Sequence, residues 1–276
     1  MTKELTDDFE IELKSLLEAI NLKYCFDFRH YSPASMKRTI VQAMDRMACS
    51  TLAALHEKVL GDSGYFDDLL QCLTIPVREM FRDPAYCCAL REKVFPLLKT
   101  YPSLKIWIAG CSAGEEVYSL AMLLQEEELL ERTILYATDI NPRGLEKAES
   151  GVFDLNTIQS FDKNYKASGG KRLLTDYYTV TANLAKFNSV LRRNITFASH
   201  SLVTDAVFSE THLISCRNVL IYFDRVLQDR AIGPFRVSLC RKGFLGFGAT
   251  ETIQFSKYSR DFDHFVKEDR IFQRNS

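Results

Sequence analysis

The chain has 276 residues, enough for one large domain or for two domains of ordinary size. Its hydrophobic content of 46%, with 12% aromatic residues, is sufficient for a buried core and excludes a disordered chain. Lysine and arginine number 35 against 36 aspartates and glutamates, which gives a net charge of -1. This balance argues against a general nucleic-acid binder, which needs a surplus of positive charge.

The first 20 residues are acidic and amphipathic, which is unlike a signal peptide. No apolar run approaches the roughly 18 residues that a membrane span requires. We therefore expect a cytoplasmic protein that does not insert into a membrane. The eight cysteines form no CxxC pair and no Cys/His cluster with zinc spacing, so we expect no metal site.

The first 90 residues have helical periodicity and almost no glycine. In the first segment, apolar residues recur every three or four positions and predict one buried stripe, formed by Phe9, Leu13, Leu16, Leu17 and Ile20. A second helix is predicted from Ser32 as the cap and Pro33 at the first helical position. A third is predicted to begin at a capping serine, Ser50, and to stop at Gly61. These patterns predict a small helical bundle.

From about Leu104 the pattern changes to strands that alternate with helices. The predicted strands cover residues 104–112, 134–140, 194–199, 211–216, 243–248 and 270–275. Such alternation predicts a mostly parallel sheet with helices on both faces. The polar stretch at about 160–194, which contains the β-prone residues 176–184, predicts an inserted small antiparallel unit.

A turn rich in small residues follows the first predicted strand and leads directly into a helix. It runs from Ala109 and Gly110 to Gly114, and Glu115 and Glu116 open the helix. Small residues let backbone approach a ligand closely, and a helix N-terminus offers N–H groups without intrahelical partners. The two glutamates would repel a pyrophosphate but suit a cation such as S-adenosylmethionine, which carries a sulfonium and an ammonium. The alternative for this segment alone is a plain tight turn.

The second predicted strand ends at Asp139, which Ile140 follows. An acid at this position in nucleotide-binding α/β folds accepts hydrogen bonds from ribose hydroxyls. Asp139 lies 25 residues after Gly114, close to the separation that one βαβ unit gives. Together with the small-residue turn, it predicts an adenosyl-binding site.

Several strings of the chain resemble the chemotaxis-receptor methyltransferase (CheR-like) family. AGCSAGEEVYSLAMLL is similar to the family's first motif, and ATDINPRGLEKAESGVF is similar to its second-strand segment. SCRNVLIYFD matches the family's most distinctive string almost letter for letter. FDFRHYSPASMKRTI near the start and GFLGFGATETI near the end also resemble family segments. The resemblance covers roughly residues 20 to 270.

The resemblance implies a fold, a cofactor and a reaction. The fold is α/β: a small all-α domain precedes a Rossmann-like methyltransferase domain that carries an inserted antiparallel β-subdomain. We expect the helical domain and its linker at 1–88 and the methyltransferase domain at 89–276, with the insertion at about 160–194. The implied reaction transfers a methyl group from S-adenosylmethionine to glutamate carboxylates on the cytoplasmic helices of chemoreceptors, and it releases S-adenosylhomocysteine.

The resemblance also implies roles for four individual residues. Arg217 and Asn218 of the CRN string would line the cofactor pocket, and Arg82 and Tyr222 would lie near the transferred methyl group. Taken alone, Tyr222 would be read as a core tyrosine. Arg82 would also contact the cofactor.

The chain departs from the family pattern at three cofactor-contacting positions. Pro76 stands where the family has asparagine, Arg78 where it has threonine, and Ser201, before Leu202, where it has asparagine. Proline supplies no N–H donor, and an arginine adds a cation beside a positively charged cofactor. Two alternatives to an active glutamate methyltransferase therefore remain open: a catalytically weak or inactive regulatory relative, and a methyltransferase with another acceptor.

Partner docking is expected on the helix that begins at Pro33. It carries Lys37, Arg38 and Arg46, and the family uses basic residues here to bind acidic receptor helices. An ordinary solvated face is the alternative. The family default for the oligomeric state is a monomer.

Overall fold

A computed structural model describes residues 7–74, 79–207 and 209–275 of the chain. The chain divides into two compact units. The first, called here the helical unit, comprises the described residues up to 74 together with Tyr222–Gln228. The second, called here the sheet unit, comprises the remaining described residues. No helix in the described ranges is both long enough and apolar enough to cross a membrane.

Residues 7–74 of the helical unit form four helices: α1 (Asp7–Tyr24), α2 (Pro33–Arg46), α3 (Leu52–Gly61) and α4 (Ser63–Leu73). The predicted stripe on α1 is confirmed, because Leu13, Leu16, Leu17 and Ile20 are buried and Phe9 packs against the same core. On α2 the buried side chains recur at helical spacing and include Met36, Ile40 and Ala43. Burial of these apolar faces against one another drives the formation of the bundle.

The helix starts were predicted with mixed success. Helix α2 begins at Pro33 with Ser32 as its cap residue, although the Ser32 side chain accepts no capping hydrogen bond. The prediction that Ser50 caps α3 is wrong. The cap is Thr51, whose Oγ1 accepts the N–H of Ala54 at 3.2 Å. Both residues are good caps, and only the backbone geometry decides which of two neighbours takes the position.

The sheet unit is built on a seven-stranded sheet with the strand order β6-β2-β1-β7-β8-β10-β9. Its strands are β1 (Leu104–Ala109), β2 (Thr133–Asp139), β6 (Ile195–Ser199), β7 (Thr211–Cys216), β8 (Leu239–Phe247), β9 (Phe262–Val266) and β10 (Ile271–Arg274). The first five of these pair in parallel, whereas β10 pairs antiparallel with both β8 and β9. The predicted mostly parallel sheet is confirmed, and the edge strand β9 was missed.

A separate three-stranded antiparallel sheet has the order β3-β5-β4. It is formed by β3 (Val152–Asp154), β4 (Tyr178–Thr181) and β5 (Leu184–Phe187). This small sheet and the helical N-terminal region confirm the predicted fold class.

The helices of the sheet unit vary in length. They are α5 (Pro84–Ala89), α6 (Phe95–Leu98), α7 (Glu115–Glu126), α8 (Pro142–Ser150), α9 (Leu155–Ser160), α10 (Asp162–Ala167), α11 (Ser189–Arg192) and α12 (Arg225–Ser238), whose first turn belongs to the helical unit. A π-helical segment, Leu90–Val94, joins α5 to α6.

Glu126 at the end of α7 joins the inserted segment to the rest of the sheet unit. Its Oε1 accepts hydrogen bonds from the hydroxyls of Tyr165 at 2.5 Å and Tyr177 at 2.7 Å, and from the backbone N–H of Lys171 at 3.1 Å. Its Oε2 forms an ion pair with Arg91. Only 1% of the Glu126 side chain is exposed, so these partners replace the water that a buried carboxylate loses.

Candidate functional site

Eight of the residues predicted to bind the cofactor lie at one edge of the seven-stranded sheet. Parallel strands end together, so the carboxyl ends of β1, β2, β6 and β7 bring four short segments to the same edge: Ala109–Gly110, Asp139–Ile140, Ser201–Leu202 and Arg217–Asn218. The chain continues from β1 to β2 and β6 on one side and returns to β7 and β8 on the other. The reversal point, between β1 and β7, is where open α/β sheets form their ligand crevice.

The turn after β1 needs glycine at both of its ends. Gly110 has φ = 83° and Gly114 has φ = 98°, values that residues with side chains rarely adopt. A Cβ on Gly110 would lie 2.4 Å from Cγ2 of Val219, and one on Gly114 would lie 2.9 Å from Cβ of Ala148. The turn is therefore packed on both sides, and it leaves backbone rather than side chains at the crevice.

Asp139 holds this turn. Its Oδ2 accepts the N–H of Ser112 and its Oδ1 accepts the N–H of Asn141, both at 2.8 Å. Burial raises the pKa of the Asp139 carboxyl, and the backbone N–H groups oppose that rise. A carboxylate can accept about four hydrogen bonds, so these N–H groups leave capacity for the predicted bond to a ribose hydroxyl.

The two glutamates after the turn occupy the first helical positions of α7. Glu115 is buried, and Glu116 is partly exposed. Gly114 has no side chain that could cap the helix, and the negative charge of both glutamates suits the positive end of the helix dipole. Oε1 of Glu116 accepts a hydrogen bond from the Ser215 hydroxyl at 2.5 Å. The site at this helix end is therefore acidic, as the sequence predicts for a cationic ligand.

Arg217 is the buried cation of the crevice. Its Nη2 donates to Oδ2 of Asp83 at 2.7 Å and to the carbonyl of Arg82 at 2.9 Å, and its Nη1 lies 3.8 Å from Oε2 of Glu116. The guanidinium carbon lies 4.3 Å from the ring centroid of Tyr86. Burial by itself lowers the pKa of Arg217, but the neighbouring negative charges, Glu116 first, outweigh it and raise the pKa.

The segment around Arg82 has an unusual backbone. Phe81 and Asp83, which flank it, have φ = 51° and 55°, in the left-handed region that residues with side chains seldom occupy. The N–H of Phe81 donates to the hydroxyl of Ser119 in α7 at 2.9 Å. Strained backbone of this kind persists where its surroundings hold it, and it is concentrated at functional sites.

Arg82 itself has a buried Nη1 for which the described residues supply no hydrogen-bond acceptor. Nε of Arg217 is also buried and likewise has no hydrogen-bond acceptor among the described residues. Buried donors normally have partners, so these two nitrogens are candidate donors to a bound acceptor such as a carboxylate.

The residues after β6 and β7 are held by short turns. The Ser201 hydroxyl accepts the N–H groups of Val203 and Thr204 at 3.3 Å, and the Ser201 N–H donates to Oδ2 of Asp205 at 2.8 Å. Leu202 and Ile140 are half-buried. Asn218 has φ = 59° and its N–H donates to the carboxylate of Glu251 at 2.8 Å. Pro76 and Arg78 lie outside the described residues.

Tyr222, the second predicted catalytic residue, belongs to the helical unit. Its carbonyl accepts the N–H of Ser32, the cap residue of α2, at 2.7 Å. The structure therefore places Arg82 in the sheet unit and Tyr222 in the helical unit. Their predicted joint role stays a prediction.

The three basic residues of α2 differ in their surroundings. Lys37 forms an ion pair with Glu10 of α1, and a guanidinium nitrogen of Arg46 lies 3.9 Å from Sγ of Cys72. Arg38 is exposed and has no ion pair within the described part of the chain. Arg38 and Arg46 are the more accessible cations of this helix.

Three side chains that build this site were not predicted from the sequence. Asp83 and Ser215 fix the ends of the Arg217–Glu116 pair, and Glu251 fixes the turn at Asn218. Asp83 follows Arg82 directly, Ser215 is the first residue of SCRNVLIYFD, and Glu251 lies in GFLGFGATETI. All three were therefore present in or beside recognised segments without an assigned role.

Residues 77–269 match the family model described as "CheR methyltransferase, SAM binding domain". The strand order, the glycine turn and the acidic crevice fit the cofactor that this description names. The protein is thus an S-adenosylmethionine-dependent methyltransferase with a Rossmann-like fold.

Similar proteins identify the family of methyltransferases to which the chain belongs. The chain is 56% identical over 275 residues to a Pseudomonas putida protein named "Putative methyltransferase Cher3", with 100% of both chains covered. It is 31% identical to the chemotaxis protein methyltransferase of Listeria monocytogenes, over 82% of this chain and 84% of the relative. The chain belongs to the CheR methyltransferase family. Among solved structures, magnesium protoporphyrin IX methyltransferase from Synechocystis is similar over 70% of this chain and 81% of that chain, at 16% identity and a TM-score of 0.37.

Proposed function

We propose that this protein esterifies glutamate side chains on the cytoplasmic helices of chemoreceptors. It does so as a monomer in the cytoplasm, with S-adenosylmethionine as the methyl donor. The observation that carries the proposal is the buried Nη1 of Arg82, which finds no hydrogen-bond acceptor in the described part of the chain. It lies on a strained segment, and the Arg82 carbonyl is bonded to Arg217 of the crevice. A glutamate carboxylate supplies the acceptor that this N–H lacks. The name of the Listeria relative, a chemotaxis protein methyltransferase, is consistent with this substrate.

The chain's own residues have a limited chemical task. A glutamate carboxylate is already ionised at neutral pH, since its reference pKa is about 4.3, so no strong general base is needed. Arg82 holds one carboxylate oxygen, and the small-residue turn keeps side chains away from the reaction path. Bound S-adenosylmethionine supplies an activated methyl group, and the products are a glutamate methyl ester and S-adenosylhomocysteine. Orientation and exclusion of water are the protein's main contributions.

Among the chain's own residues, those proposed to hold the methyl donor are at the carboxyl ends of the parallel strands. The backbone of Ala109 and Gly110 approaches the ligand, Glu115 and Glu116 offer negative charge to its cationic groups, and Asp139 faces the ribose. Ile140, Ser201, Leu202, Arg217 and Asn218 complete the proposed lining, together with Pro76 and Arg78.

Substrate docking is proposed on α2. Arg38 and Arg46 present positive charge to an acidic receptor helix, and Lys37 contributes where its ion pair with Glu10 opens. Such an interface weakens as salt increases, because exposed charges are screened.

The decisive experiment has two parts. Calorimetric titration with S-adenosylhomocysteine should show micromolar binding, and transfer of a labelled methyl group to a purified receptor cytoplasmic fragment should give base-labile label on glutamate. Replacement of the receptor's methylated glutamates by alanine should abolish labelling. The proposal would be contradicted if the folded protein did not bind S-adenosylhomocysteine and did not label any receptor fragment. That result would indicate a regulatory relative.

A further inference from the structure

Glu251 is a buried carboxylate that is bonded to four backbone amides. Its Oε1 accepts the N–H groups of Val219 at 2.9 Å and Leu220 at 2.7 Å. Its Oε2 accepts those of Asn218 at 2.8 Å and Gly248 at 2.7 Å. Two bonds on each oxygen use the hydrogen-bonding capacity of a carboxylate, so Glu251 has none left for a ligand. Any effect of Glu251 on the site must therefore pass through the residues that it holds.

The backbone of the turn held by Glu251 has an energetically unfavourable conformation. Asn218 has φ = 59°, in the left-handed region. A Cβ on Gly248 would lie 2.6 Å from Nδ2 of Asn218 and 2.9 Å from Oε2 of Glu251, so the backbone of Gly248 packs directly against the turn. Three consecutive N–H groups pointing at one carboxylate supply the energy that offsets this conformation.

The same turn contacts the other side of the crevice. Val219, whose N–H is bound by Glu251, places Cγ2 2.4 Å from the position of a Cβ on Gly110. Val219 therefore packs directly on the backbone of the small-residue turn after β1. A shift of the Val219 backbone would remove a contact from Gly110.

We infer that Glu251 is a positioning residue of the methyl-donor site: it fixes the turn that carries Arg217 and Asn218 and, through Val219, the small-residue turn at Gly110. This inference rests on the proposed binding of the methyl donor at the crevice between β1 and β7. Burial raises the pKa of the Glu251 carboxyl, and its four backbone partners oppose the rise.

The substitution Glu251→Gln tests this role with little change of shape. The glutamine amide would point N–H groups at two backbone N–H donors, so half of the acceptor sites would be lost. Glu126→Gln is a matched control, because Glu126 is also buried and accepts several hydrogen bonds in the same unit. Glu126 lies at the far end of α7, eleven residues from Glu115, or about 16 Å along the helix at 1.5 Å per residue.

The first measurement is hydrogen–deuterium exchange of the ligand-free protein. Glu251→Gln should raise the exchange rate at least tenfold in peptides covering 110–114 and 218–220, and Glu126→Gln, whose effect is centred at the far end of α7, should raise it much less. Val219→Ala, which removes the contact with Gly110 but no carboxylate bond, should raise exchange at 110–114. Wild-type exchange at 110–114 in either Glu251→Gln or Val219→Ala would overturn the inference. So would an equal increase in both glutamine variants, which would mean general destabilisation.

The second measurement is the dissociation constant for S-adenosylhomocysteine. Glu251→Gln should bind at least tenfold more weakly than wild type, and Glu126→Gln should bind as wild type does. Wild-type affinity in a folded Glu251→Gln variant would overturn the positioning role. If the wild-type protein itself fails to bind, the proposed function fails, and the exchange measurement still decides how Glu251 acts.

Discussion

Val219 packs against the backbone of Gly110: Cγ2 of Val219 lies 2.4 Å from the position that a Cβ on Gly110 would take. The two residues follow neighbouring parallel strands, β1 and β7. The contact joins the turn that approaches the cofactor to the turn that carries Arg217 and Asn218. A side chain at position 110 would therefore disturb both turns.

Gly110→Ala should weaken binding of S-adenosylhomocysteine at least tenfold and lower the free energy of unfolding by about 1–3 kcal/mol, since φ = 83° is strained for alanine. Titration calorimetry and urea denaturation measure the two effects. Gly61→Ala is the control, because a Cβ there meets no atom within 4 Å. Equal binding by Gly110→Ala and wild type would show that the turn is not part of the site.

Arg82→Ala and Tyr222→Phe should each lower the rate of methyl transfer at least tenfold and change the affinity for S-adenosylhomocysteine much less. The reason is that Arg82 is proposed to orient the acceptor carboxylate, and the family resemblance implies a position near the transferred methyl group for Tyr222. Loss of orientation raises the barrier of the transfer step. Single-turnover rates and calorimetric titration separate the two quantities. Wild-type turnover in both variants would remove these residues from their proposed roles.

Arg217→Ala should destabilise the sheet unit and abolish cofactor binding. The substitution leaves Glu116 and Asp83 without their cation, and loss of one partner from a buried charge pair costs about 3–5 kcal/mol. Because Asp83 and Glu116 are only partly buried, we expect about 3 kcal/mol by urea denaturation. Arg236→Ala, which removes an ion pair with Asp261 whose partners are about 40% exposed, should cost less than 1 kcal/mol. A similar loss in both variants would contradict this account.

Glu126→Gln should destabilise the protein most at neutral pH. Burial alone would raise the pKa of Glu126, but hydrogen bonds from Tyr165, Tyr177 and Arg91 outweigh it and hold the pKa below 4.5. A carboxyl with a lowered folded-state pKa stabilises the folded protein above its unfolded-state pKa, and this stabilisation is lost as the pH falls through the folded value.

The stability difference between wild type and Glu126→Gln should therefore shrink below about pH 4.5, which is the ordinary value for this side chain. Urea denaturation of both proteins between pH 7 and pH 3 measures it. Other titrating groups, such as Asp139, are present in both proteins and cancel in the difference. A difference that stays constant or grows towards low pH would show that the ionised form of Glu126 is not the stabilising one.

Arg38→Glu should weaken binding to an acidic receptor helix, and the difference from wild type should decrease as salt rises from 50 to about 500 mM, as screening predicts. Surface plasmon resonance with a receptor fragment measures the affinity. Lys14→Glu is a matched charge reversal at an exposed position of α1. Equal losses in the two variants would indicate an effect of net charge rather than docking on α2.

Much of the architecture could be predicted from local pattern. The stripe from Leu13 to Ile20 and the run 211–216 were placed correctly. Burial of one helix face imposes a period of 3.6 on the sequence, and burial of a strand on both faces gives a short continuous apolar run. The wrong cap on α3 and the missed strand β9 have a common cause. Ser50 and Thr51 have nearly equal capping propensity, and an edge strand with exposed positions has a weak pattern.

The sequence by itself determined the family, the α/β fold class and the cofactor, because these depend on strings such as AGCSAGEE and SCRNVLIYFD, whose residues are consecutive. Only the tertiary structure decided what the side chains do to one another. Asp139 bonds to the N–H of Ser112, Asp83 pairs with Arg217 and Glu251 bonds to the turn at Asn218, over separations of 27, 134 and 33 residues. Such contacts arise because parallel strands bring their carboxyl ends to one edge, and no local pattern in the chain records which side chains meet there.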